Sequence, residues 1–296
     1  MRKQAGQKNW MRMLAAVLLA LVCATGAVAQ QAPQPLVVYS NYTIKPGKEA
    51  DFLEVVNKVG APVRDKLMKE GVVLAWGVEV LLIRGAWGGG TTHSIWYAVP
   101  DWAGVEKVQM GIAAQIQKIG ADEAKAAEEA KKKNQRPAMG TMERANEAWD
   151  ASKTRDWYTR DLVFVVGSAP VQAGWLPYTR YSLVQVKPGK GSEYRAAWEK
   201  YNKPVLDSLV KDGTIAAFGF SVEEVKTTND FTHFSWYAMT SLSASDKLRA
   251  AFMADRAKRS AEEREAIAAT FAELIDGTAS RGIVTRSLIF REASMK

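Results

Sequence analysis

Tyr39-Ser-Asn-Tyr-Thr-Ile-Lys-Pro-Gly-Lys48 returns later in the chain as Tyr181-Ser-Leu-Val-Gln-Val-Lys-Pro-Gly-Lys190, an offset of 142 (181 − 39). The same offset pairs Pro62 with Pro204, Gly71 with Gly213, Trp76 with Phe218 and Gly77 with Gly219. His93-Ser-Ile-Trp96-Tyr97 then answers to His233-Phe-Ser-Trp236-Tyr237 at offset 140 (233 − 93), and Thr159-Arg160 to Thr285-Arg286 at offset 126 (285 − 159). Solenoid repeats run about 20–50 residues, so a period this long marks a duplicated domain.

Within one copy the periodicities name the elements. Val37 to Ile44 is β-branched and aromatic and predicts a strand, stopped by the Lys-Pro-Gly-Lys turn. Phe52, Val55, Val56, Val59, Val63 and Leu67 recur at helical spacing over 49–69, with a kink expected at Pro62 and a glycine cap at Gly71. Strands follow at Val72–Ile83 and His93–Val99, joined by the glycine-rich loop Gly85–Thr92. Asp101 opens a long helix and Leu162–Val166 is the fourth strand. The second copy repeats the order, with strands near 179–186, 214–226, 231–239 and 283–290 and helices near 190–211 and 243–275. This β-α-β-β-α-β order is the ferredoxin-like unit.

Two such units in tandem, each with Lys-Pro-Gly-Lys after its first strand, resemble the dimeric α/β-barrel superfamily, and loosely its secreted NIPSNAP-like members. The resemblance implies an α+β fold in which the antiparallel sheets of the two repeats pack as an intrachain barrel with helices outside. Residues 30–168 would form repeat one and 169–296 repeat two. The fall in offset from 140 to 126 places an insertion in repeat one, a charged helical run over about 121–150 broken by Pro137 and Gly140. It reads either as a solvated helix extension or as a contact surface for an envelope protein partner.

The N-terminus has the form of a secretory signal over 1–29. Arg2, Lys3, Lys8 and Arg12 precede an apolar stretch, Met13 to Val22, and Ala27-Val28-Ala29 is a small-x-small cleavage site. A bacterial periplasmic or extracellular protein starting near Gln30, with no membrane span after signal removal, is the expectation. Cys23, the single cysteine, lies within the signal, so disulfides and thiolate chemistry are excluded from the mature chain. Four of the 40 Lys and Arg and none of the 32 acids lie there, leaving a balance of 40 − 4 − 32 = +4. Acids and bases alternate, as over Lys125–Lys133, which argues against a nucleic-acid surface.

Alternation along each strand sorts residues onto two faces. On strand one, Tyr39 and Asn41 (Tyr181 in repeat two) share a face, and Tyr42 and Ile44 suit the helix side. On strand two, Gly77 and Glu79 (Gly219 and Ser221) alternate with Trp76 and Val78. On strand three, Trp96 and Ala98 suit the helices, which would place His93 and Tyr97, with His233 and Tyr237, on the polar face inside a barrel. Gly77 and Gly219 would make room there.

The two histidines admit three readings: a hydrogen-bonded structural residue, a donor in a ligand pocket with Tyr97 or Tyr237, or a metal or haem ligand. Two histidines with Glu79 fall short of the three or four ligands a metal site takes, so no metal is expected. Arg160 and Arg286 can clamp a carboxylate or pair with a neighbouring acid such as Asp156 or Asp161. Trp87, on the glycine-rich loop and without a counterpart in repeat two, is a candidate partner contact.

There is no dinucleotide fingerprint, phosphate loop, zincin motif or nucleophile elbow. Without a recognisable catalytic constellation, the first expectation is a non-catalytic exported protein that binds a small apolar or aromatic ligand or serves as an envelope-assembly subunit. The second, implied by the resemblance, is a cofactor-poor monooxygenase, an isomerase or a haem-handling enzyme. Asn41 and Glu79 against Leu183 and Ser221 point to repeat one for any pocket.

Overall fold

The computed structural model describes residues 34–82, 90–167, 177–227 and 231–293. The signal region, Trp87 and the expected repeat boundary at 168–169 lie outside the described residues. The repeated motif is a tight strand-to-helix turn. Gly47 and Gly189 adopt φ of +79° and +78°, a region only glycine enters without steric cost. Lys48 N and Lys190 N donate back to the carbonyls of Lys45 and Lys187.

In the first half, β1 (Leu36–Tyr42) leads through this turn into α1 (Glu49–Val55), a π-helical turn (Val56–Gly60) and α2 (Ala61–Lys69). Strands β2 (Ala75–Leu81) and β3 (His93–Val99) follow, then α3 (Trp102–Lys132), α4 (Thr141–Ala148) and β4 (Arg155–Val166). The second half runs β5 (Tyr178–Val186), α5 (Gly191–Tyr201), α6 (Lys203–Lys211), β6 (Ile215–Val225), β7 (His233–Met239), α7 (Ala244–Ala257), α8 (Ala261–Leu274) and β8 (Ile275–Glu292). At Pro62, where a kink is expected, the regular helix is interrupted by the π-helical turn Val56–Gly60. Pro62 and Pro204 sit in the first turns of α2 and α6, where a missing N–H costs nothing.

Eight strands close into one barrel in the order β1-β3-β2-β8-β5-β7-β6-β4. Within each half the order is fourth-first-third-second, the ferredoxin-like arrangement. The halves join antiparallel where β2 meets β8 and β6 meets β4. Each half packs its outward strand face on its own helices, around Phe52, Trp76 and Val78 in one and Trp198, Phe218 and Phe220 in the other. A third cluster, with Tyr39, Trp157, Tyr181 and Phe234, fills the barrel.

The inserted run is a built part of the first half. α3 is 31 residues long, and α4 returns along α1. Arg144 bridges Asp51 at 2.8 Å and Glu54 at 3.4 Å, Glu123 accepts from Thr141 N at 2.9 Å, and Trp149 packs edge-on against Phe52.

Candidate active site

The faces of β3 and β7 are the reverse of those expected. In the register of β1 and β3, Tyr39 lies opposite Trp96 and Asn41 opposite Ser94, while Tyr42 lies opposite His93. Residues opposite one another share a face. Ser94, Trp96 and Trp236 therefore enter the barrel, and His93, Tyr97, His233 and Tyr237 go to the helices. The indole of Trp96 occupies the space that Gly77 leaves, where an added Cβ would stand 2.9 Å from its Nε1. Trp236 does the same over Gly219. Glycine makes room, as expected, but for tryptophan.

The histidines sit under the first helix of each half. His93 Nδ1 meets Thr92 Oγ1 at 2.9 Å, its ring packs on Phe52, and its Nε2 is 3.7 Å from the Glu49 carboxylate. His233 Nδ1 meets Thr232 Oγ1 at 3.0 Å between Phe220 and Tyr194. Burial pushes its pKa down to about 4. Tyr97 lies beneath the Arg64 guanidinium, 5.5 Å from its ring centroid, and Tyr237 is buried in the second half's helix-facing core. Arg160 also leaves the barrel. It forks onto Glu224 with bonds of 2.8 and 3.0 Å rather than onto Asp156 or Asp161, because it alternates with inward-facing Thr159 and Asp161. Arg286 is exposed.

What the barrel does hold is two buried carboxyls. Glu79, on β2, accepts hydrogen bonds from Thr285 Oγ1 at 2.8 Å, Tyr181 Oη at 2.9 Å and Thr179 Oγ1 at 3.2 Å. Desolvation raises its pKa, opposed by these donors, and burial keeps Tyr181 protonated. The Trp96 N–H is directed at the same carboxyl but closes no bond of ordinary geometry. Asp161, on β4, accepts from Ser221 Oγ and, at 3.4 Å, from Trp236 Nε1. Burial pushes its pKa up to about 6.

The two carboxyls occupy one pseudo-symmetric position with the acid exchanged between strands. Glu79 faces Ser287 across β2 and β8, and Asp161 faces Ser221 across β4 and β6. In the repeat register Ser221 corresponds to Glu79 and Ser287 to Asp161. A bulge follows each pair, skipping Leu288 and Leu162; bulges of this kind re-aim side chains beside active sites.

Beside Glu79 lies an internal void of about 10 Å³ lined by Tyr39, Ser94, Trp157, Tyr181, Leu183 and Phe234, room for about one water. Ser94 Oγ in this lining, and Asn41 Oδ1 opposite Ser94 on β1, are buried without a partner among the described residues, although Asn41 Nδ2 donates to Arg155 O at 3.2 Å. A base, hydroxyl donors and free polar atoms in an aromatic shell are the elements of proton-transfer chemistry. No histidine faces this space to ligate a haem iron. Among the described residues no three His, Cys, Asp or Glu side chains cluster as a metal site would require. None of their helices is long and apolar enough to cross a membrane.

No protein-family model matches the sequence, and no curated protein matches it. Solved structures do. A protein of Fusobacterium nucleatum provisionally described as a monooxygenase is similar at 10% identity and TM-score 0.55, over 88% of this chain and 94% of that one. A protein of Lactobacillus acidophilus with the same provisional description is similar at 11% identity and TM-score 0.52, over 88% and 97%. These likenesses show the fold alone: an α+β chain whose eight antiparallel strands close into one barrel. A haem-binding protein of Thermus thermophilus is similar at a TM-score of only 0.45 and 8% identity, over 86% and 91%, and carries no argument here.

The expectation of a non-catalytic ligand-binding or envelope-assembly subunit falls. It rested on the want of a catalytic constellation. The barrel instead holds a buried carboxyl with hydroxyl donors, and the two similar structures named above are both provisionally described as monooxygenases.

Proposed function

We propose that this chain is an enzyme that abstracts a proton from a small aromatic or conjugated substrate inside the barrel, with Glu79 as the base. The observation that carries this is the Glu79 carboxyl, buried beside an aromatic void and held by three hydroxyl donors. A base whose pKa is raised by burial holds a proton more strongly than an exposed carboxylate, which suits it to weakly acidic C–H and phenolic O–H groups. Tyr181 stays protonated and gives its one hydrogen to the Glu79 carboxylate, which orients the base. The resulting anion either reacts with dioxygen, giving a cofactor-poor monooxygenase, or is reprotonated at another carbon, giving an isomerase. The water-sized void requires aromatic side chains such as Tyr39 or Phe234 to move aside when a ring enters.

The N-terminal basic segment, apolar stretch and Ala27-Val28-Ala29 support export, with the enzyme acting outside the cytoplasm. The tandem element order supports the loose NIPSNAP-like resemblance. The charged inserted run over 121–150 supports a contact surface for an envelope protein partner.

The test offers a panel of hydroxylated tricyclic and bicyclic aromatics to the purified protein. Exchange of acidic C–H is followed by NMR in deuterated buffer without oxygen, and dioxygen uptake in air. We expect catalysed exchange with at least one compound and a loss of about 100-fold or more in Glu79→Gln. Equal exchange in Glu79→Gln and the native protein would overturn the assignment. Dioxygen uptake coupled to exchange selects the monooxygenase over the isomerase.

A further inference from the structure

Outside the barrel, the first turns of α3 and the outer face of β4 enclose a cleft of about 320 Å³ lined by Trp102, Val105, Glu106, Gln109, Tyr158 and Val225. Its size falls in the range of small-ligand pockets, roughly 300–1,000 Å³. Helical spacing creates one wall: Trp102, Val105, Glu106 and Gln109 recur at i, i+3, i+4 and i+7. The strand supplies the other through Tyr158, which points outward because its neighbours Trp157 and Thr159 point in.

The indole of Trp102 and the ring of Tyr158 stack at 5.4 Å with planes 29° apart, and Trp102 is 44% exposed. An open aromatic pair leaves a negative π face toward solvent. Glu106 is the one charged residue in the lining. Gln109 Nε2 reaches the Tyr158 hydroxyl at 3.5 Å.

The second half lacks this construction. In the repeat register Leu242 stands for Trp102, Val284 for Tyr158 and Arg249 for Gln109. The duplicated scaffold therefore folds without an aromatic pair here, so packing alone does not demand one.

We propose that this cleft binds a small organic cation, an alkylated or quaternary ammonium, on the free face of Trp102, whose other face is stacked on Tyr158, with Glu106 as its counter-charge. An aromatic face attracts such a cation by roughly 0.5–2 kcal/mol, and the carboxylate adds attraction while leaving alkyl groups on the ring. The site is separate from the barrel and does not depend on the reaction assigned there.

The test titrates the full chain with choline and with its uncharged carbon isostere, 3,3-dimethylbutanol, following perturbation of the Trp102 indole resonance and saturation transfer to the ligand methyls. We expect saturable choline binding in the millimolar range and binding of the isostere about 10-fold weaker. Trp102→Leu and Tyr158→Val carry the residues found at the matching positions of the other half, a retained melting transition checks that each is folded, and each should weaken choline by about 5-fold or more. Glu106→Gln should weaken choline by about 3-fold and leave the isostere unchanged. Glu79→Gln should leave choline binding intact. The proposal is overturned by equal affinity for choline and the isostere, by full binding in Trp102→Leu, or by no saturable choline signal at about 100 mM.

Discussion

Asp161 faces Ser221 across the seam between β4 and β6 and accepts its hydroxyl hydrogen. On the opposite seam the same two positions hold Ser287 and Glu79. Each seam thus carries one acid and one serine, contributed by opposite partners. At this register each seam holds one carboxyl rather than two, which would set like charges together at a buried pair.

Ser221→Ala should expose what the serine contributes. Removing the donor leaves a buried carboxyl with only the longer Trp236 bond. A loss of about 1–3 kcal/mol is expected, greater at pH 8, where Asp161 is ionised, than at pH 5. Urea unfolding at the two pH values measures it.

Asp161 and His233 should pull stability in opposite directions between pH 4 and 6.5. The Asp161 pKa is raised to about 6 in the folded state, above an unfolded value near 3.9, so its contribution is full at low pH and is lost as pH rises through 6. The change is on the order of 3 kcal/mol. Glu79, also raised, acts in the same sense. The His233 pKa is lowered to about 4, so its contribution is present above 6.5 and is lost as pH falls. Asp161→Asn should therefore lose stability more steeply than the native chain on acidification, and His233→Gln more steeply on raising the pH. Chemical unfolding from pH 4 to 7 checks both signs.

Gly77→Ala should destabilise by about 1–3 kcal/mol through overpacking. Its Cβ would stand 2.8 Å from the Ile289 carbonyl oxygen and 2.9 Å from the Trp96 indole. The carbonyl is fixed in the β2–β8 ladder. Trp96→Phe in the same background should recover part of the loss, read as a rise in melting temperature.

Arg64→Leu should be neutral or stabilising by up to about 2 kcal/mol. The guanidinium is 95% buried from solvent by residue area, lies over Trp76 and Tyr97, and forms no ion pair among the described residues. Leu206 holds the matching place in the second half and is fully buried. Arg64→Ala, which leaves a cavity, should instead cost about 2 kcal/mol or more. Thermal unfolding of the two variants separates charge from volume.

The strands, the broken first helices and the inserted arm were legible from alternation, from helical spacing, and from Pro62 and Pro204. Glu79, Tyr39, Asn41 and Tyr181 were legible as barrel residues. His93 and Tyr97 were misplaced because alternation divides a strand into two sets without saying which set faces in. Trp96 looks like a helix-packing residue, yet this barrel is filled with aromatic rings. The cross-strand partner of Tyr39 decides the matter, and partnership is a property of register. Asp161 was missed as a site residue because, in sequence, it is only an acid beside Arg160.

The sequence by itself determined that two ferredoxin-like halves lie in one chain, because residue spacing sets local conformation and a repeated pattern repeats the fold. Only the tertiary structure decided that the first half's β2 and β4 pair with the second half's β8 and β6. That pairing brings Glu79 to Thr285 across 206 residues and Asp161 to Ser221 across 60. The physical reason is that a buried carboxyl takes its chemistry from the donors and dielectric around it, and those come from strands that no local pattern places beside it.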